Sequence, residues 1–172
     1  LPTMIQVAEI LSERIPGIRF AVPVASSVDR TLVESIVRKR AAGFLSLSSR
    51  LRDVLDEAKL VITASGTVTL EAAIAGTPMI IVYKVSPLSY RLGKCLIRVK
   101  HIGLVNLVAG RPVVPELIQH EASVEKIAYH ALQMLGDDKR LSKIRRQLRY
   151  VAQSLGTPGA SKRAAEVAIG LL

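Results

Sequence analysis

The sequence has a single cysteine, Cys95, in 172 residues. That excludes a disulfide framework, and a cysteine-based zinc site lacks its ligands. Aromatic residues are almost missing: four Tyr, two Phe and no Trp. Modules for single-stranded nucleic acid need aromatic platforms on which bases stack, so this scarcity argues against them. It leaves a helical duplex binder open. No apolar run approaches the roughly 20 residues of a membrane-spanning helix. The opening residues show no basic stretch followed by an apolar core, so no signal peptide is read there. An initiator methionine is absent too, and Leu1 opens inside a helical pattern. Both features predict a piece of a longer protein. Acidic residues are few beside basic ones, 14 against 24, which gives a net charge of +10. Such an excess favours anionic partners: nucleic acid, nucleotide phosphates or an acidic membrane face.

What is present is a globular composition, 49% hydrophobic and 22% charged, of a length that suits one domain with a real core. Amphipathic stretches alternate with short β-branched runs. Helices are read over Pro2 to Ile15, Val28 to Ala41 (opened by Ser27), Leu51 to Ala58, Gly66 to Ala75 and Leu88 to Val99. Three more follow over Ser123 to Leu135, Lys139 to Leu155 and Gly159 to the end, and Pro115 to Gln119 reads as a helical turn. Strands are read over Ile18 to Val24, Phe44 to Leu47, Leu60 to Thr63, Met79 to Tyr83 and Ile102 to Val108. Strands alternating with helices imply right-handed crossovers and a parallel sheet. The expectation is a doubly wound, Rossmann-like α/β domain over residues 1–135 with a C-terminal helical extension over 136–172. Ligands of such sheets sit beyond the carboxyl ends of the strands, so the loops after strands are where chemistry is sought.

One of these loops stands out. A buried strand ends at Thr63, the small residues Ala64-Ser65-Gly66-Thr67 follow, and a helix begins at once. Backbone N–H groups at a helix start are unpaired and the helix dipole adds positive potential, which suits a phosphate. Gly66 has no side chain to hold a phosphate away, and the Ser65 and Thr67 hydroxyls add donors. The simpler reading makes Ser65 a helix cap. Glu71 lies one helical turn after Thr67, among small and apolar neighbours. Its carboxylate either faces solvent or holds a diol.

The run from Ala64 to Tyr83, ASGTVTLEAAIAGTPMIIVY, resembles the nucleotide-sugar site of two-domain GT-B glycosyltransferases. The continuation through Tyr83 to Leu88, Ile102 to Arg111 and Val114 to Gln119 resembles the bacterial lipid-A-disaccharide synthases more particularly, and the likeness covers most of the chain. The resemblance implies the C-terminal, UDP-binding half of such an enzyme. The family joins UDP-2,3-diacylglucosamine to 2,3-diacylglucosamine 1-phosphate with release of UDP, by an inverting, metal-independent transfer that uses no cofactor. It implies that Ser65, Gly66 and Thr67 cradle the diphosphate and that Glu71 holds the ribose. It places the family's first strand, a Gly-Ser-Arg loop, the acceptor pocket and the catalytic carboxylate upstream of Leu1, so the isolated chain is expected to be inactive.

Further residues are read as lining the same cleft. Lys84 and Ser86 follow the MIIVY strand. Asn106 lies within the Ile102 to Val108 strand and Arg111 just after it, and Glu116 and Gln119 come next. The simple alternatives are a backbone partner for Asn106 and an Arg111–Glu116 ion pair. His101, His120 and His130 are scattered without metal-ligand spacing and read as surface residues, so no metal is expected. Cys95 reads as a core residue. Arg91, Lys94 and Arg98 fall on one helical stripe beside apolar residues; a solvated face or contact with anionic lipid explains it. The expected location is cytoplasmic, peripheral on the inner membrane, with an exposed C-terminal helix face available for a homodimer. Two alternatives stay open: a nucleic-acid-binding α/β domain using the Lys139 to Arg149 cluster, although the resemblance implies no nucleic-acid partner, and a GT-B transferase with another acceptor.

Overall fold

Alternation of period-2 and period-3.6 patterns is realised as alternating strands and helices. The structure, a computed structural model, describes residues 1–40, 43–87, 89–90, 100–157 and 159–170, with backbone alone at 39 and 40. The helix read over 88–99 lies almost wholly outside the described residues, and with it the basic stripe Arg91, Lys94 and Arg98 and the thiol of Cys95.

Helix α1 (Pro2–Arg14) starts on a proline, whose missing N–H is unpaired at that position in any case. Strand β1 (Phe20–Pro23) leads to α2 (Arg30–Arg40). The start of α2 is held by Asp29, not by the Ser27 read from sequence. Asp29 Oδ1 accepts the Thr31 amide at 2.9 Å and the Thr31 hydroxyl at 2.6 Å. Strand β2 (Leu45–Ser48), helix α3 (Leu51–Glu57), strand β3 (Val61–Ala64), helix α4 (Val68–Ala75) and strand β4 (Met79–Tyr83) follow. Gly76 ends α4 in the left-handed region, φ 72°, where a side chain would be strained.

Two elements differ from the sequence expectation. Ile102 to Val108 is no strand; residues 104–109 form helix α5 (Leu104–Ala109), bracketed by Gly103 and by Gly110 at φ 66°. Pro115 to Gln119 is no helical turn; it contains strand β5 (Glu116–Ile118), followed by a 3-10 turn over Gln119–Glu121. Helices α6 (Val124–Leu135), α7 (Asp138–Ser154) and α8 (Ala160–Ile169) complete the described chain.

All strand pairs are parallel, as expected of an α/β fold, yet they form two sheets instead of one. β1 pairs with β2, Phe20 opposite Leu45. β3, β4 and β5 form the second sheet, with Val61 opposite Met79 and Ile81 opposite Glu116. Met79, Ile80 and Ile81 of the middle strand β4 are buried, as a strand covered on both faces should be. One group of helices, α1 with α2 and α6, and another, α4 with α3, α5 and α7, enclose the sheets. α1 serves both cores: Val7 and Leu11 join the main one, and Ile5 packs with Val33 and Val37 in the smaller. Leu141, Ile144, Leu148 and Val151 of α7 belong to the main core, so residues read as an extension contribute to the α/β packing. Every described residue of α8 is exposed.

Candidate nucleotide site at the carboxyl edge of the sheet

β3 ends at Ala64 and α4 begins at Val68, so Ser65-Gly66-Thr67 is a turn at the carboxyl edge of the sheet. The Thr69 amide donates to the Gly66 carbonyl and the Leu70 and Glu71 amides to Thr67. Among the described residues, the amides of Gly66, Thr67 and Val68 have no backbone acceptor. They are the free N–H groups that a helix start offers to an anion. Thr67 occupies the cap position but its side chain makes no capping bond, and its hydroxyl is exposed. Ser65 does not cap either. Its hydroxyl donates to the Ile102 carbonyl at 2.8 Å, which ties this turn to the next loop. Thr69, which the sequence reading passed over, is fully buried and donates to the Gly66 carbonyl at 2.7 Å. It fixes the turn from beneath.

Gly66 has no structural reason to be glycine. A Cβ built there meets nothing within 4 Å, and its φ is not in the left-handed region. The space at that position is open. Glu71 is exposed one turn further along α4, and no ion pair among the described residues engages it.

The other sequence candidates divide by geometry. Asn106 is fully buried and all its polar atoms are in use. Its Oδ1 accepts the amides of Val113 and Val114 at 2.8 and 3.0 Å, and its Nδ2 donates to the Val114 carbonyl and to Glu116 Oε1, both at 2.8 Å. The backbone-partner alternative is therefore the one the structure shows. Glu116 accepts the Ile102 amide at 2.9 Å and the Gly103 amide at 3.2 Å, so it does not pair with Arg111. His101 Nδ1 lies 3.9 Å from Glu116 with its side chain 16% exposed; it is not the surface histidine read from sequence. Gln119 holds Val85 at two points, accepting its amide at 2.8 Å and donating to its carbonyl at 3.1 Å. It does so at φ 53°, a conformation uncommon for residues other than glycine.

These side chains lace the loops around the Ser65–Thr67 turn without offering free groups to a ligand. Glu116 and Asn106 hold the Ile102–Gly103 loop that receives Ser65, and Gln119 holds the loop after β4. In that loop Lys84 is exposed, while Ser86 accepts the Ser89 amide at 3.1 Å. Arg111 is exposed but lies between α5 and β5, on the segment that enters the amino end of β5. With residues 104–109 helical, Arg111 no longer follows a strand, and the topology does not bring it to the carboxyl edge. No cluster of His, Cys, Asp or Glu that would hold a metal occurs among the described residues.

The pattern of the Lipid-A-disaccharide synthetase family matches residues 1–169. The chain belongs to that family. The lipid-A-disaccharide synthase of Syntrophus aciditrophicus is 43% identical over 173 residues, which cover all of this chain and 45% of the relative. That of Geobacter sulfurreducens is 43% identical over 171 residues, 99% of this chain and 44% of its own length. The Trichlorobacter lovleyi enzyme is 38% identical over 172 residues and is covered to 45%. The chain thus spans less than half the length of the synthases it matches.

Proposed function

We propose that this chain is the UDP-binding part of a glycosyltransferase that joins UDP-2,3-diacylglucosamine to 2,3-diacylglucosamine 1-phosphate. The observation that carries the reading is the β3–α4 turn: free amides at Gly66, Thr67 and Val68, open space over Gly66, and an exposed carboxylate one turn along. The diphosphate takes the amides, and Glu71 accepts the ribose hydroxyls. As the bond from the sugar C1 to the phosphate oxygen breaks, negative charge grows on the departing UDP. The start of α4 offers positive potential at that place, and Lys84 on the same edge adds a cation. The acceptor hydroxyl oxygen forms the new bond to C1. No residue of this chain is assigned as the base that receives its proton. Both substrates are lipids with polar heads, so the enzyme works at a bilayer surface, peripheral to the cytoplasmic face of the inner membrane.

Calorimetry of UDP with the full-length protein tests the site. Glu71→Gln is expected to weaken binding by roughly tenfold or more, since a hydrogen bond to a charged group contributes about 1.5–3 kcal/mol. Unchanged affinity would remove Glu71 from the ribose site.

A further inference from the structure

Among the described residues, cations on or beside helices α2, α3 and α8 are matched by acids about one turn away: Arg30 with Glu34, Arg50 with Asp53, Arg52 with Asp56 and Lys162 with Glu166. Helix α7 breaks that habit. Between Asp138 and Ser154 it carries Lys139, Arg140, Lys143, Arg145, Arg146 and Arg149, against one acid, Asp138. Asp138 itself lies 3.9 Å from Lys59. No ion pair among the described residues engages any of the six cations. The inner side of the helix is fixed by Leu141, Ile144, Leu148 and Val151, all buried. At 100° per residue, Lys139, Lys143, Arg146 and Tyr150 then form the opposite stripe, with Arg149 at its margin. All five are exposed, Tyr150 to 69%. Two of the helices packed on α7 carry exposed aliphatic side chains: Ile74 of α4, 56% exposed, and Leu107 and Val108 of α5, 46% and 42%.

We propose that the outer face of α7 docks the enzyme on an anionic phospholipid bilayer. The partner follows from the combination of side chains. Lys and Arg meet lipid phosphates, an interfacial tyrosine sits at headgroup depth, and aliphatic neighbours reach the acyl boundary. A nucleic-acid duplex offers phosphates but little for Ile74, Leu107 and Val108 to contact. The proposal rests on the reading that the substrates are lipids, and gives that reading a place on the molecule. The helix also packs directly on α4, the element that begins at the nucleotide turn.

The test is co-sedimentation of the full-length protein with vesicles of phosphatidylcholine alone or with about a third phosphatidylglycerol, at low and high salt, beside UDP calorimetry. The parent should sediment with the anionic vesicles only, and more at low salt. The quadruple variant Lys139→Gln, Lys143→Gln, Arg146→Gln and Arg149→Gln should partition at least about tenfold less, with UDP affinity unchanged. If that variant does not fold, Lys143→Glu and Arg146→Glu, made singly, carry the same comparison. Equal sedimentation of parent and variants would overturn the proposal, as would retention on duplex DNA without binding to anionic vesicles. Vesicle binding through α7 in a parent that fails to bind UDP would support this surface and count against the nucleotide reading.

Discussion

Two glycines flank the candidate site and are required for different reasons. At Gly103 a Cβ would lie 2.2 Å from Ile81 Cδ1 and 3.2 Å from Glu116 Oε1. Ile81 is buried in the middle of β4, so its side chain moves only by displacing the core. Gly103→Ala is therefore expected to destabilise the protein by about 1–3 kcal/mol, the cost of overpacking, read in a denaturant melt. At Gly66 the space is empty. Gly66→Ala should leave the melt unchanged and weaken UDP binding, because its methyl group fills the approach to the free amides. A stability loss at 66, or unchanged UDP affinity there, would contradict the assignment. Gly66, Thr67 and Glu71 were legible in the sequence because helix starts and i, i+4 faces are local. Asn106 and Glu116 were legible only as polar residues in apolar surroundings. Their partners, Val113 and Ile102, meet them through tertiary turns that no spacing encodes.

At the scale of elements, the central run MIIVY was read with its true limits, since β-branched residues buried on both faces leave little choice. The two misread elements share a cause. Leu104–Ala109 is a short run of Leu and Val whose propensity favours a strand, yet Gly103 and Gly110 close it as a helix. Pro115 followed by Glu116 imitates a helix start, yet parallel pairing with β4 draws Glu116–Ile118 into the sheet. Propensity yielded to helix closure by the flanking glycines in the first and to tertiary pairing in the second. The start of α2 makes a prediction of its own. Hydrogen bonds from the Thr31 side chain and backbone, then from the Leu32 amide, hold the Asp29 carboxyl below its ordinary value of 3.8. A depressed carboxyl value means that the ionised cap stabilises the fold above about that value and loses its effect as pH falls through the lower folded value. Asp29→Ala should thus lower the melting temperature at neutral pH, and the gap from wild type should close in acid. A gap independent of pH would mean that the charge on Asp29 contributes nothing.

At the scale of the whole molecule, the division into two sheets has a simple topological reading. The described strands fall into β1-β2 and β3-β4-β5, each internally parallel, so no strand joins β1 to β3 among the described residues. Among the described residues, β1 and β3 each keep one edge without a strand partner, and most of their residues are half-buried, unlike the buried start of β4. Unpaired parallel edges invite pairing with other chains. The 172-residue chain alone is therefore expected to self-associate in light scattering and to catalyse no transfer. Amides of β1 and β3 that face these open edges should exchange quickly in it. A monomer with protected β1 and β3 amides, or one that turns over substrate, would refute this.

Sequence alone determined the α/β class, the parallel order of the elements, the glycine-marked breaks and the strand–turn–helix at Ser65 to Thr67, because each depends on contacts a few residues apart. Tertiary structure decided that the sheet is split, that α5 is a helix and β5 a strand, and that Asn106, Glu116 and Gln119 hold loops. Those outcomes depend on which distant backbone groups meet, and a buried polar side chain takes whichever partner the fold brings to it.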